Sequence, residues 1–100
     1  MDQFAILALM RPKPGKETAL EQFLVSARSF VLAEEGTTSW YAVKLDDGRF
    51  GIFDTFPDRN GRDAHLRGEV ARRLMANATE LLAEPPIIQN AEILASKTPE

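Results

Sequence analysis

A chain of 100 residues has room for one core, so we predict a single domain over residues 1–100 and exclude separate cofactor and substrate domains. The absence of cysteine excludes disulfides and a cysteine nucleophile, and it favours a reducing, cytoplasmic setting. The net charge of -3 argues against a nucleic-acid partner, because phosphate backbones are bound by surplus Lys and Arg. No apolar run is long enough to cross a bilayer, so we expect a soluble protein with no membrane partner.

The first part of the chain predicts a strand followed by a helix. Residues 4–11 (FAILALMR) are apolar at both parities, which is typical of a strand buried on both faces. A Lys-Pro-Gly turn follows at residues 13–15. An apolar stripe then recurs every three or four residues from Leu20, with Glu34 in phase at its end, and Gly36 is the natural stop.

A hairpin is predicted next, with strands over residues 37–45 and 49–56. The two strands are joined by the Asp-Asp-Gly sequence at residues 46–48, whose Asp-Gly step suits a tight turn.

The rest of the chain predicts a second helical region and a last strand. Asp58 is placed to accept hydrogen bonds from free N–H groups at the helix start, and Pro85 requires the helix to end by Glu84. We expect a break near Gly68, because a continuous helix would point Arg67 into the core. Apolar residues on both sides of residues 87–95 predict the final strand.

The order β, α, β, β, α, β predicts an α+β, ferredoxin-like fold with a four-stranded antiparallel sheet and both helices on one face. The first and last strands nevertheless carry large apolar side chains on both sides. Leaving them in water would lose the stabilisation that burial provides, about 1.5–3 kcal/mol for each large side chain. A second copy of the chain would cover them, so we predict a homodimer packed sheet to sheet, with pockets where the helices overhang the sheet.

Two side chains are candidates for proton transfer. His65 is the only histidine, and it could exchange protons near neutral pH; the alternative is a solvated helix surface beside Glu69 and Arg72. Asp54 should share a face with Ile52, where it would have a raised pKa or an arginine partner; a solvated acid at a strand edge is the alternative.

Aromatic residues cluster on the hairpin, where they could line a pocket for a flat ring or fill a core or dimer interface. Strand parity points Trp40 and Tyr41 to opposite faces, so both cannot line one pocket. The sequence contains no paired-His metal site, no Gly-rich phosphate loop and no nucleophile elbow, so we expect neither a metal nor another cofactor.

Several segments together resemble the antibiotic biosynthesis monooxygenase domain family. They are KPGKE at the first helix, EEGTTSWYAVKLDD before the hairpin turn, GIFDTFPDRNGRDAHLRGEVA across the third strand and second helix, and the strand after EPP. The Ala-His-Leu triplet that contains His65 is a recurring pattern of that family. The likeness covers nearly the whole chain.

The resemblance implies a dimeric α+β barrel that oxidises phenolic or quinol-like polycyclic molecules with O2, without flavin, metal or haem. It points to His65 as the base or anion stabiliser, with Asp54 as the second choice. A small aromatic substrate would then be contacted by Trp40, Phe53, Phe56 and Arg62.

Other functions on the same fold stay open. Haem-degrading relatives use an Asn on the first strand, a Trp on the third and a His on the second helix; here only His65 matches, since Trp40 lies on the second strand. A non-oxidative isomerase or lyase could hold a carboxylate with Arg62 or Arg67. The third alternative is a ligand-binding or purely structural dimer, because a shared fold does not fix function.

Overall fold

A computed structural model describes residues 2–99, which form four strands and three helices. The strands pair antiparallel in the order β2-β3-β1-β4, and the helices cover one face of the sheet. The predicted α+β, ferredoxin-like fold is thus confirmed. Within these residues, no helix is both long enough and apolar enough to cross a membrane. The strands are β1 (Phe4–Met10), β2 (Ser39–Lys44), β3 (Phe50–Phe56) and β4 (Ile87–Glu92), and the helices are α1 (Glu17–Val31), α2 (Arg59–Leu66) and α3 (Glu69–Leu81).

The second helical region is broken where the sequence predicts it. α2 ends at Leu66, and Gly68, in an extended conformation, is the N-cap of α3. The break leaves Arg67 exposed instead of directing it into the core. At the start of α2, Asp58 Oδ1 accepts a hydrogen bond of 2.8 Å from the backbone N–H of Gly61, as its capping position predicts.

The last strand is shorter than predicted. β4 runs antiparallel to β1, and Glu92 at its end already lies opposite Phe4, the first residue of β1. One further backbone bond, from Ile93 N–H to the Gln3 carbonyl at 2.8 Å, continues the pairing. Beyond that point the sheet offers no strand to pair with, so residues 94 and 95 are not part of β4.

The two faces of the sheet differ in what covers them. Met10, Phe50 and Ile52 point toward the helices and form one core with Leu20 and Leu74. The opposite face is open to solvent in the single chain, although it carries large apolar side chains. Those that are at least 38% exposed on this face are Leu7, Tyr41, Val43, Phe53 and Ile87.

Candidate active site

His65 lies on the inner side of α2, between two carboxylates. Its Nδ1 is 2.6 Å from Glu34 Oε1, and its Nε2 is 2.9 Å from Asp54 Oδ2. The side chain is only 7% exposed, and its ring packs 5.5 Å from the ring of Phe56, measured between centroids. The solvated alternative does not hold, because the helix break turns this face of α2 toward the sheet.

Asp54 is fully buried on β3, on the face covered by the helices. Its cross-strand neighbours are Ile6 on β1 and Trp40 on β2. The partner that faces Asp54 is His65 and not an arginine. Oδ2 makes the 2.9 Å contact with His65 Nε2, and Oδ1 has no hydrogen-bond partner among the described residues.

Glu34 is the member of this cluster that sequence reasoning missed. α1 ends at Val31, and Glu34 follows in the turn that leads to β2. Its Oε1 accepts a hydrogen bond of 2.7 Å from Thr37 Oγ1 and also contacts His65. Its position in the sequence could have revealed it. Glu34 continues the three- and four-residue spacing of the apolar stripe of the helix, and an acidic side chain that faces the protein interior needs a charged or hydrogen-bonding partner there.

The two carboxylates favour the charged form of the imidazole. Burial, the largest single influence, lowers the pKa of His65. The hydrogen bonds and charges of Asp54 and Glu34 together outweigh it, so the pKa is raised above the ordinary value of 6.5. We therefore describe the cluster as an imidazolium between two carboxylates. The carboxylates contact opposite ring nitrogens, and residues 2–99 contain no group of three His or acidic side chains arranged to hold a metal.

A groove of about 460 Å³ runs beside this cluster, between the end of α1, the following turn and the edge strand β2. Arg28, Glu34 and Trp40 are part of its wall. His65 and Asp54 do not line it; they lie behind Glu34. The groove is thus connected to the buried cluster through one carboxylate.

Of the four residues predicted to contact the substrate, only Trp40 lines this groove. The other three lie elsewhere. Phe53 points to the open face of the sheet, where it lines a cavity of about 620 Å³. Phe56 is fully buried against His65. Arg62 lies over the ring of Phe4 at 5.2 Å and borders a third cavity of about 240 Å³. Strand alternation separates Phe53 from Trp40, and the direction of α2 carries Arg62 toward β4.

A contact between two glycines holds the Glu34 turn against α2. A Cβ on Gly61 would lie 2.5 Å from the carbonyl oxygen of Gly36, and a Cβ on Gly36 would lie 2.8 Å from the Cα of Gly61. Both are impossible contacts with backbone, so the approach requires glycine at both positions. It fixes the distance between the turn that carries Glu34 and the helix that carries His65.

Gly61→Ala should therefore destabilise the protein and loosen the cluster. We expect the free energy of unfolding to fall by about 1–3 kcal/mol, the usual cost of overpacking. The pKa of His65 should also decrease, since Glu34 moves away while His65 remains buried. Urea unfolding and NMR titration of His65 measure the two effects. Asn60→Ala, at an exposed position of the same helix, is the control; equal values for both variants would contradict the role of the glycine contact.

The fold is shared with candidate antibiotic biosynthesis monooxygenases, the family that the sequence resembles. A candidate antibiotic biosynthesis monooxygenase from Nitrosomonas europaea superposes with a TM-score of 0.81 at 16% identity, over 93% of this chain and 91% of that one. Another from Deinococcus radiodurans gives 0.82 at 14% identity, over 97% and 98% of the two chains. At this identity the likeness concerns the fold.

A much nearer relative is NE2512, a protein of unknown function from Nitrosomonas europaea. It is 48% identical over 100% of this chain and 97% of its own, with a TM-score of 0.94. The chain therefore belongs to the same family as NE2512. No protein-family model matches the chain, and neither does any curated protein.

Proposed function

We propose that the protein is a cofactor-independent monooxygenase that oxidises a phenolic or quinol-like aromatic molecule with O2. The observation that carries this proposal is Glu34, which lines the 460 Å³ groove and whose Oε1 is held from behind by His65 Nδ1. A groove of this size suits a small aromatic ligand. The fold shared with candidate antibiotic biosynthesis monooxygenases supports the same reaction class.

The reaction requires a base that deprotonates the substrate and a site that shields the resulting substrate anion from water. Glu34 takes the acidic proton of the substrate, and the electron-rich anion then passes electrons to O2. For an anthrone-like CH2 group, one oxygen atom becomes the new carbonyl oxygen and the other leaves as water with the two carbon-bound hydrogens. The substrate carbon supplies all four electrons, so the reaction balances without a further reductant.

Glu34 is better suited to be the base than His65. Both ring nitrogens of His65 face carboxylates, which raise its pKa and favour the protonated ring, so neither nitrogen is directed at the groove. The geometry supports the second of its two expected roles, that of stabilising anions. Asp54, behind His65, then keeps the imidazolium charged and oriented.

Glu34→Gln should abolish most of the oxygen consumption. Losing a positioned base typically slows a reaction by about 10²- to 10⁴-fold. The measurement uses an oxygen electrode with a panel of hydroquinones and anthrones. Glu35→Gln, at the exposed neighbouring position, is the matched control and should keep the wild-type rate. Equal rates in the two variants, or no oxygen consumption by the wild type, would contradict the proposal.

A non-oxidative isomerase or lyase is the second candidate. Its specific support is Arg62, whose Nε is buried and has no hydrogen-bond partner among the described residues. Arg59 borders the same 240 Å³ cavity, so two guanidinium groups could hold a carboxylate there. Turnover of a cyclic keto acid under nitrogen, lost in Arg62→Ala, would favour this candidate over the monooxygenase.

We also propose that the protein acts as a homodimer through the open face of its sheet. Leu7 and Phe53 are about 40% exposed there, and burying the exposed part of each would contribute about 0.6–1.2 kcal/mol. Phe53→Glu should convert a dimer at micromolar concentration into a folded monomer in sedimentation experiments. Val25→Glu, on the outside of α1, should leave the dimer intact. A wild-type protein that sediments as a monomer would refute this assembly.

A further inference from the structure

A cavity of about 240 Å³ lies between the start of α2 and the edge strand β4. Arg59 and Arg62 line it from α2, Phe4 lines it from β1, and Glu92 lines it from the end of β4. It shares no lining residue with the 460 Å³ groove. The cavity is therefore a second place on the molecule where a small ligand fits.

Two guanidinium groups converge on this cavity. Arg59 and Arg62 are three residues apart on α2, which places them on the same side of the helix. Both lie over the ring of Phe4, at 5.9 Å for Arg59 and 5.2 Å for Arg62, measured from the guanidinium carbon to the ring centroid. Like charges repel each other at such short range, and the negative face of the ring offsets only part of that repulsion. An anion between the two groups would relieve the rest.

The protein itself supplies no such anion. Within residues 2–99, neither Arg59 nor Arg62 forms an ion pair with a carboxylate. The neighbouring Asp58 accepts its hydrogen bond from the backbone N–H of Gly61. Arg62 Nη1 donates a hydrogen bond of 3.3 Å to the carbonyl oxygen of Ala91, which ties the side chain to β4. This contact orients the guanidinium without neutralising it, so the positive charge is held at the cavity before a ligand arrives.

The charges that line the cavity favour a singly charged ligand. Arg59 and Arg62 carry two positive charges and Glu92 carries one negative charge, so one positive charge remains. A monocarboxylate compensates this charge, and its two oxygens match the planar fork of a guanidinium. A phosphate dianion would exceed the positive charge and would be repelled by Glu92.

We infer that Arg59 and Arg62 form a binding site for a small organic monocarboxylate, separate from the groove that Glu34 lines. The carboxylate of the ligand lies between the two guanidinium groups, and its carbon skeleton occupies the rest of the cavity. The site goes beyond the proposed oxidation, because it needs neither Glu34 nor O2. Binding here requires no turnover, so the site exists whether or not the protein is also an isomerase or lyase.

The test is NMR titration of the protein with benzoate at pH 8, compared with the neutral benzamide. Benzoate should bind with a Kd of about 1 mM or lower, within the range for a ligand of this size. It should shift the backbone amide signals of Arg62 and Ala91, and benzamide should shift neither.

Two variants that remove the same charge separate the site from the general attraction of a positive surface. Arg59→Gln, at an exposed position, should leave the protein folded and weaken benzoate binding by roughly 10-fold or more. Arg67→Gln, at the exposed C-terminal end of α2, should change the affinity by less than about threefold. Equal affinities of the two variants, no saturable binding by the wild type, or shifts confined to residues of the groove would overturn the inference.

Glu92→Gln and inorganic phosphate test the charge of the ligand. Glu92→Gln removes the competing carboxylate and should tighten benzoate binding by roughly two- to fivefold. Inorganic phosphate, mostly a dianion at pH 8, should bind the wild type more weakly than benzoate does. Benzoate binding that is unchanged or weaker in Glu92→Gln, or phosphate binding that is tighter than that of benzoate, would overturn the assignment to monocarboxylates.

Discussion

His65→Ala should be the most destabilising single substitution in the cluster. It leaves the carboxylates of Glu34 and Asp54 in the protein interior without a cation between them, and removing one partner of a buried charge group typically costs about 3–5 kcal/mol. For a domain of this size, that corresponds to a decrease in melting temperature of at least about 12 °C. Urea unfolding at pH 7 is the measurement.

Two further variants separate the charge effect from the lost packing against Phe56. Adding Asp54→Asn to His65→Ala should recover part of the lost stability, because it removes one of the unpaired charges. Arg67→Ala, at an exposed position two residues further along, should change the free energy of unfolding by less than about 0.5 kcal/mol. If His65→Ala were as mild as Arg67→Ala, the imidazolium would not be holding the cluster together.

The stability of the wild type should fall as the pH rises above neutrality. The folded-state pKa of His65 lies above the ordinary value of 6.5, so the folded protein binds the proton more tightly than the unfolded chain. The resulting stabilisation is complete below pH 6.5 and is lost as the pH rises through the folded-state pKa. In that window the free energy of unfolding should decrease by at most about 1.4 kcal/mol per pH unit.

Variants of Glu34 and His65 serve as controls for this pH dependence of stability. Glu34→Gln should make the decline smaller, because one of the two carboxylates that raise the pKa of His65 becomes neutral. His65→Ala should remove the decline altogether. Urea unfolding from pH 6 to pH 9 measures these curves. A wild-type stability that increases over this range would mean that the folded state disfavours the imidazolium.

Most of the fold could be predicted from the sequence, because strand alternation, helical spacing and turn residues all indicate the same arrangement of elements. The parity of the strands correctly assigns Trp40 and Tyr41 to opposite faces, and Asp54 to the face of Ile52. The glycine at position 68 correctly predicts the break between α2 and α3. These features depend on periods of two and 3.6 residues and on backbone preferences, which act over a few residues.

The site could be predicted only in part, because it depends on contacts between distant segments. His65 and Asp54 stand out as residue types, but their mutual contact requires the face of α2 that turns inward, and the helix break sets that face. Glu34 is 31 residues from His65 and reaches it through the turn held by the Gly36–Gly61 contact. No local pattern encodes that approach.

NMR titration of the His65 ring decides whether it is a buried imidazolium held by two carboxylates. As the only histidine, it gives one set of imidazole signals, whose assignment needs no variant. We predict a pKa above 6.5 and ring nitrogen shifts that are mostly those of the doubly protonated form at pH 6.5. A pKa below 6.5, or a neutral ring at pH 6.5, would show that the two carboxylates do not stabilise a charged imidazole. It would also contradict the role proposed for Glu34.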